Sequence, residues 1–152
     1  MPKTLASNGL PGSNWMGSDE HLIRYPSVET CITITCRMNT CIFGAHLFYG
    51  LPDHQMREDL QSFRQAMGIN IIQDMFIIGN LNAWINPKLF RREMTYNIGN
   101  GGVLFRNIKN ILNYNQVIKT HQLENQDVKA TRNSTEVHLF DNQNQITVFN
   151  NL

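Results

Sequence analysis

Two residues in this chain have the types and the spacing for covalent acyl chemistry: Cys31, a thiol, and His46, an imidazole. They bracket the run Thr30-Cys31-Ile32-Thr33-Ile34-Thr35-Cys36-Arg37-Met38-Asn39-Thr40-Cys41-Ile42-Phe43-Gly44-Ala45-His46. Its alternation and its β-branched and aromatic residues predict a β-hairpin over 30–49. A turn centred between Met38 and Asn39 pairs Cys36 with Cys41 and Cys31 with His46, whether the loop has two residues or four. Directly opposed residues share a face with Cβ atoms roughly 4.5–5.5 Å apart, so the turn alone would bring thiol and imidazole within reach. A three-residue loop would send them to opposite faces. A free thiol is mostly protonated at neutral pH; a neighbouring imidazole can activate it and later supply the acid for a leaving amine.

The two faces of this hairpin differ. Ile32, Ile34, Cys36, Cys41, Phe43, Ala45 and Leu47 form a core face. Cys31, Thr33, Thr35, Ile42, Gly44 and His46 form a more polar one, where a substrate would approach and where Gly44 would permit close approach of another backbone. Two other readings compete. A cysteine among Ile and Thr can be an inert core thiol, and Cys31, Cys36, Cys41 and His46, recurring every five residues, could supply four zinc ligands. Odd spacing on a strand alternates faces, which disfavours zinc, and a Cys36–Cys41 disulfide is unneeded at this chain length. His21, His54, His121 and His138 have no clustered partners, and Arg91-Arg92-Glu93 is most simply a solvated turn.

The surrounding elements must hold this hairpin. Residues 1–24, with Asn8-Gly9, Pro11-Gly12 and Gly17-Ser18, read as an irregular arm preceding a domain over 25–152. Asp53 looks like an N-cap, and Met56, Leu60, Phe63 and Met67 recur at helical spacing until Gly68. Residues 69–79 suggest a buried strand or two, and 80–100 a loop with a turn at Asn86-Pro87 and a short strand near Leu89. A second helix follows Gly101-Gly102, with Leu104, Ile108, Ile111 and Leu112 on one face. Val117 to His121 reads as a strand, and Glu136 to Phe149 as a hairpin turning at Asp141-Asn142-Gln143-Asn144. Helices and strands mix without a strict βαβ rhythm, so the fold class is α+β.

At 152 residues and 41% apolar content, the chain can bury one core without disulfide staples. A net charge of +1 and the absence of a Lys/Arg run remove the electrostatic footprint of a nucleic-acid binder or of a protein held on acidic membranes. No stretch approaches a spanning helix, and Met1 to Met16 lacks the pattern of a signal peptide. Three cysteines point to a reducing compartment. The expectation is a cytoplasmic protein, with a secreted effector as the other setting.

The run Thr30-Cys31-Ile32-Thr33-Ile34-Thr35, the turn, then Phe43-Gly44-Ala45-His46-Leu47 and Leu51-Pro52 resembles the catalytic hairpin of CheD, the chemoreceptor glutamine deamidase. The toxin domains of the cytotoxic necrotizing factor type share this Cys–His arrangement. Met75 to Trp84, Ile98-Gly99, Arg106-Asn107-Ile108 and Glu136 to Val148 resemble later features of CheD in the same order, so the likeness spans about residues 30 to 149. The family's Gly-Ser before the nucleophile is Glu29-Thr30 here, Tyr25 stands where CheD has a catalytic threonine, and its Gly-Gly and Arg turn is reduced to Ala130-Thr131-Arg132-Asn133. The resemblance implies a layered β-sandwich with flanking helices and the hairpin at its centre. It implies Cys31 as nucleophile and His46 as acid and base, with Thr30 beside them as a candidate site residue. The group that orients His46 stays open among Ser27, Thr30, Tyr25 and a backbone carbonyl. The implied reaction hydrolyses a glutamine side-chain amide of a partner protein, a chemoreceptor or a host signalling protein, to glutamate without metal or organic cofactor. A relative that binds a partner but has lost its chemistry is the alternative, and a small zinc-binding module a third.

Overall fold

The computed structural model describes residues 2–85 and 103–151. In chain order the elements are β1 (Lys3–Thr4), β2 (Met16–Asp19), β3 (Leu22–Val28), β4 (Cys31–Arg37), β5 (Ile42–Phe48), α1 (Asp53–Met67), β6 (Asp74–Gly79), α2 (Leu81–Ile85), α3 (Val103–Leu112), β7 (Ile118–Gln122), β8 (Gln126–Asn133), β9 (Glu136–Phe140), β10 (Gln145–Ile146) and β11 (Asn150–Asn151). One sheet has the order β1-β3-β8-β9-β10 and the other β11-β7-β6-β4-β5-β2. The class is mixed α and β, two sheets with three helices among the described residues.

Side-chain alternation on the six-stranded sheet divides the core in two. Ile32, Ile34 and Cys36 of β4, Ala45 and Leu47 of β5 and Met75 and Ile77 of β6 pack with the helices. In α1, Met56, Leu60, Phe63 and Met67 are the buried stripe; fully burying each such side chain contributes roughly 1.5–3 kcal/mol. α3 adds Leu104, Ile108 and Leu112. Cys31 of β4, Ile42 of β5 and Phe76 and Ile78 of β6 instead pack against Ile23, Tyr25, Val128, Ala130 and Leu139 of the second sheet. The β4–β5 hairpin therefore lies between two apolar layers.

The register of that hairpin differs from the expected one by two residues. Cys31 stands opposite Phe48, Thr33 opposite His46, Thr35 opposite Gly44 and Cys36 opposite Phe43. The turn closes with Met38 N–H donating to the Cys41 carbonyl at 2.9 Å, so Cys41 belongs to the turn rather than to the strand. At the end of β4 the Arg37 guanidinium meets the Asp74 carboxylate at 2.6 Å, fastening β4 to β6 where the hairpin turns. An even shift keeps every side chain on its face. Cys31 and His46 thus still share a face, as a diagonal rather than a direct pair.

Other expectations need amendment. The first 24 residues are not an irregular arm throughout: they supply β1, β2 and the start of β3, and Leu5 is wholly buried. Pro52, not Asp53, occupies the N-cap position of α1. The apolar run after Gly68 yields only β6, with Ile69 and Ile71 exposed, because the chain must first cross from α1 to the sheet. α2 forms where a loop was expected, and β8 was not anticipated. The last hairpin has the expected turn, with Gln145 opposite Phe140 and Ile146 opposite Leu139, but β10 is short and β11 leaves to join β7. The expected strand near Leu89, the Asn86-Pro87 turn, Arg91-Arg92-Glu93, Ile98-Gly99 and Gly101-Gly102 lie outside the described residues.

Candidate active site

His46 is fixed by three segments. Its backbone N–H donates to the Trp15 carbonyl at 2.9 Å, and its carbonyl accepts from Asn8 N–H at 3.0 Å. The ring Nδ1 lies 2.8 Å from the Leu5 carbonyl oxygen. A carbonyl only accepts, so Nδ1 carries the proton and Nε2 presents a lone pair. The Tyr25 ring meets the imidazole edge-on with centroids 6.0 Å apart. His46 is 1% exposed, and its Nε2 is buried without a hydrogen-bond partner among the described residues. Buried polar atoms are nearly always paired, so this lone pair is the outstanding feature of the site. Of the orienting groups left open by the sequence, the backbone carbonyl is the one found, and it comes from Leu5.

Cys31 opens β4, and its carbonyl accepts from Asn80 N–H at 2.9 Å. Gly79 makes this approach feasible: it has φ 154°, and a Cβ there would overlap the Cys31 carbonyl. Upstream, the register of β3 against β8 shifts between Tyr25 and Val28, and Ser27 takes a positive φ of 55°. Such a bulge re-aims the chain beside a site; here it turns β3 into β4. Thr30 sits in that turn, and its carbonyl accepts from the Trp84 indole N–H at 2.9 Å, tying α2 to the nucleophile's neighbour.

Cys31 and His46 both line a cavity of about 280 Å³, with Ser7, Ser27, Glu29, Thr30 and Phe48 among its walls. That is at or below the small end of ligand clefts, roughly 300–1,000 Å³, and suits one polar side chain better than a large cofactor. The diagonal pairing sets the two Cβ atoms roughly 7 Å apart, and no hydrogen bond joins the Cys31 sulfur to His46 Nε2, so the expected direct contact of thiol and imidazole is not formed. Burial pushes the Cys31 thiol up to about 11; the neighbouring Ser7 side chain and Glu29 backbone act the other way, and the Glu29 charge adds to the rise. Burial also lowers the His46 pKa, against the Leu5 carbonyl, which favours the protonated ring. At neutral pH the resting pair is therefore a thiol and a neutral imidazole, not an ion pair.

The polar face of the hairpin is not open to solvent as expected. Thr33, Thr35 and His46 are buried beneath the second sheet. Thr33 Oγ1 donates to the Ile78 carbonyl at 2.8 Å, and Thr35 Oγ1 shares a 2.7 Å hydrogen bond with the Tyr25 hydroxyl. The space at Gly44 receives the Tyr25 side chain rather than another backbone, since a Cβ there would overlap the Tyr25 hydroxyl. The Cys31–His46 end of the face reaches a cavity. The other cysteines do not join it: Cys36 packs with the helices and Cys41 lies half-buried in the turn. The four-ligand zinc arrangement is thereby excluded, and no three His, Cys, Asp or Glu side chains converge on a metal position among the described residues. Leu5, Ser7 and Asn8 are site residues that sequence reasoning missed; only the Asn8-Gly9 turn signal marked the segment. No helix among the described residues is long and apolar enough to cross a membrane. No protein-family model matches the chain, and no curated protein matches it significantly.

Proposed function

We propose that the chain is a cysteine-dependent protein-glutamine deamidase with a CheD-like fold. The observation that carries this reading is the His46 imidazole, anchored through Nδ1 to the Leu5 carbonyl with its buried Nε2 unpartnered among the described residues, in the wall of a cavity that Cys31 also lines. Support also comes from the resemblance of residues 30–149 to the CheD-like hairpin and its following elements. A glutamine side chain of a partner protein, a chemoreceptor or a host signalling protein, enters the cavity. His46 Nε2 takes the thiol proton as Cys31 Sγ bonds to the amide carbon. Backbone N–H groups around Cys31 hold the oxyanion. The C–N bond then breaks, the proton on Nε2 leaves with ammonia, and a thioester remains. Water, deprotonated by the same Nε2, attacks the thioester; the sulfur departs, recovers its proton and frees glutamate. Proton transfer accompanies attack because the resting pair is neutral. Thr30, on the cavity wall, completes the site.

The second reading is a protein-binding module without catalysis. It is favoured by a thiol raised to about 11 and by an Nε2 that has no bond to the sulfur. One experiment separates the two. Candidate glutamine-bearing partners are incubated with the wild type and with Cys31→Ser, and ammonia release is read together with the mass gain of amide-to-acid conversion. Deamidation should fall by roughly two to three orders of magnitude or more in the variant. Full biological effect and partner binding in Cys31→Ser would assign the chain to the binding class.

A further inference from the structure

We propose that Leu10 and Phe48 build an apolar subsite beside the Cys31–His46 cavity, where the chain selects a hydrophobic side chain next to the reactive glutamine. This inference deepens the deamidase reading and rests on it. The register of the hairpin sets Phe48, not His46, directly opposite Cys31. Directly opposed residues share a face with Cβ atoms roughly 4.5–5.5 Å apart, so Phe48 is the nearest neighbour of the thiol on β5. Phe48 and Leu10 both line the reactive cavity, and with Ser7 they also line a second cavity of about 120 Å³. A cavity of roughly 150 Å³ can hold a benzene ring, so the smaller space takes one apolar side chain. Cys31, His46, Ser27, Glu29 and Thr30 line the first cavity and not the second. The polar groups thus stand at one end, and the apolar pair leads away from them.

Both walls are fixed. Phe48 closes β5, and its N–H donates to the Asn8 side chain at 2.7 Å. Its ring lies against Gly9 and Gly50, and a Cβ at either glycine would overlap it. The Tyr49 ring meets it edge-on with centroids 5.3 Å apart. Leu10 stands in a short loop closed on itself: its N–H donates to the Ser7 carbonyl at 3.2 Å, and its carbonyl accepts from Ser13 N–H at 3.1 Å. The Ser13 hydroxyl donates to the same Ser7 carbonyl at 2.7 Å, and the Asn8 side chain donates to the Asp59 carboxylate of α1 at 2.7 Å. The loop is thereby tied both to β5 and to α1. Its leucine nevertheless stays 58% exposed. A single exposed leucine is ordinary; one that walls two adjoining cavities beside a thiol has apolar surface left for a ligand to cover. Covering it favours a hydrophobic neighbour of the glutamine over a charged one, which would lose water there without gaining a partner.

The test compares two alkylating amides, iodoacetamide and N-benzyl-2-iodoacetamide, on the folded full chain. The benzyl ring would reach the second cavity as the iodoacetyl carbon meets the Cys31 sulfur. In either reaction the sulfur bonds to the methylene carbon, iodide leaves, and the thiol proton passes to solvent. Rates are read by peptide mass spectrometry, with Cys41, half-buried in the turn, as internal control. For wild-type Cys31 the ratio of benzyl to unsubstituted rates should exceed that of Cys41 by about tenfold or more, the scale of one group placed in an apolar pocket. Leu10→Ser should bring the Cys31 ratio down to that of the control, and Leu10→Met, which keeps an apolar side chain, should retain most of the excess. Melting temperatures should hardly move, because Leu10 is exposed; should Leu10→Ser fail to fold, Leu10→Ala is judged by the same ratio. No excess in the wild type overturns the proposal. So does an excess undiminished in Leu10→Ser, or a folded chain whose Cys31 reacts with neither amide. The assay needs no substrate. A chain that shows the excess and deamidates nothing loses the enzymatic reading alone, whereas one that deamidates without the excess loses only this inference.

Discussion

The two faces of β4 are buried alike, yet they do different work. On the helix side Ile32, Ile34 and Cys36 meet α1 and α3 with side chains that need no partner. On the sheet side Cys31, Thr33 and Thr35, with His46 and Gly44 of β5, lie under β3 and carry polar atoms. Thr33, Thr35 and His46 Nδ1 are each satisfied by a hydrogen bond of 2.7–2.8 Å. The exception is His46 Nε2. Burial therefore does not distinguish core from site on this hairpin; the unpaired His46 Nε2 does.

The largest expected break in that comparison is chemical. His46→Ala should remove deamidation about as completely as Cys31→Ser, and the double variant should be little worse than either single one, because the pair acts as a unit. Additive losses, measured as kcat/KM on one glutamine-bearing partner, would dissolve the pair. Unlike a substitution on an exposed face, His46→Ala should also lower the melting temperature, since it leaves a cavity and strips the Leu5 carbonyl of its partner. On the helix side the expected loss is structural only. Ile34→Ala should cost about 2–5 kcal/mol by denaturant unfolding, and Cys36→Ala roughly 1 kcal/mol, with activity per folded molecule preserved in both. Loss of activity in folded Cys36→Ala would put the nucleophile on the wrong face.

A subtler break is steric. Gly44→Ala pushes a methyl group into the Tyr25 hydroxyl, which is itself bound to Thr35, and should destabilise by about 1–3 kcal/mol. Tyr25→Phe removes the obstructing oxygen, so Gly44→Ala should cost less in that background than alone. A double-mutant cycle with no coupling would show that Gly44 is not the seat of Tyr25.

How far these two faces could be seen in advance follows from what a strand pattern encodes. Alternation from Cys31 to Arg37 and from Ile42 to Phe48 sets the side of every residue, and the shared face of Cys31 and His46 was legible from it. The register was not, because Cys41 has the hydrophobicity of a strand residue while its carbonyl closes the turn. Nor could the alternation reveal that the polar face is covered. Its cover comes from β3 and from β8, where only Val128 and Ala130 point inward among Gln, Asp, Lys, Thr, Arg and Asn. The orienting partner of His46 was illegible for another reason: Leu5 acts through its backbone carbonyl, which no side-chain pattern records.

The smallest effect separates the faces by proton linkage. At alkaline pH they behave alike: burial pushes up Cys31, to about 11, and also Cys36 on the helix side. Folded thiols that stay protonated while unfolded ones ionise near a pKa of roughly 8.5 make stability fall as pH rises above that value, whichever face they occupy. The acid side differs. His46 has its pKa lowered by burial, so below about pH 6.5 the unfolded chain binds a proton at this ring that the folded chain refuses. Stability from this group is therefore complete above that pH and declines as pH falls toward the folded pKa, with a slope of at most about 1.4 kcal/mol per pH unit. Carboxylates titrate mostly lower, near roughly 4, which leaves a window for the histidine. Urea unfolding of the wild type and of His46→Gln between pH 7 and pH 5 isolates it. The wild type should lose stability across the window and the variant should lose measurably less, whatever its absolute stability. Equal slopes in the two proteins would mean that His46 takes up a proton as readily in the folded state as in the unfolded chain, and that burial does not hold the ring neutral across this window.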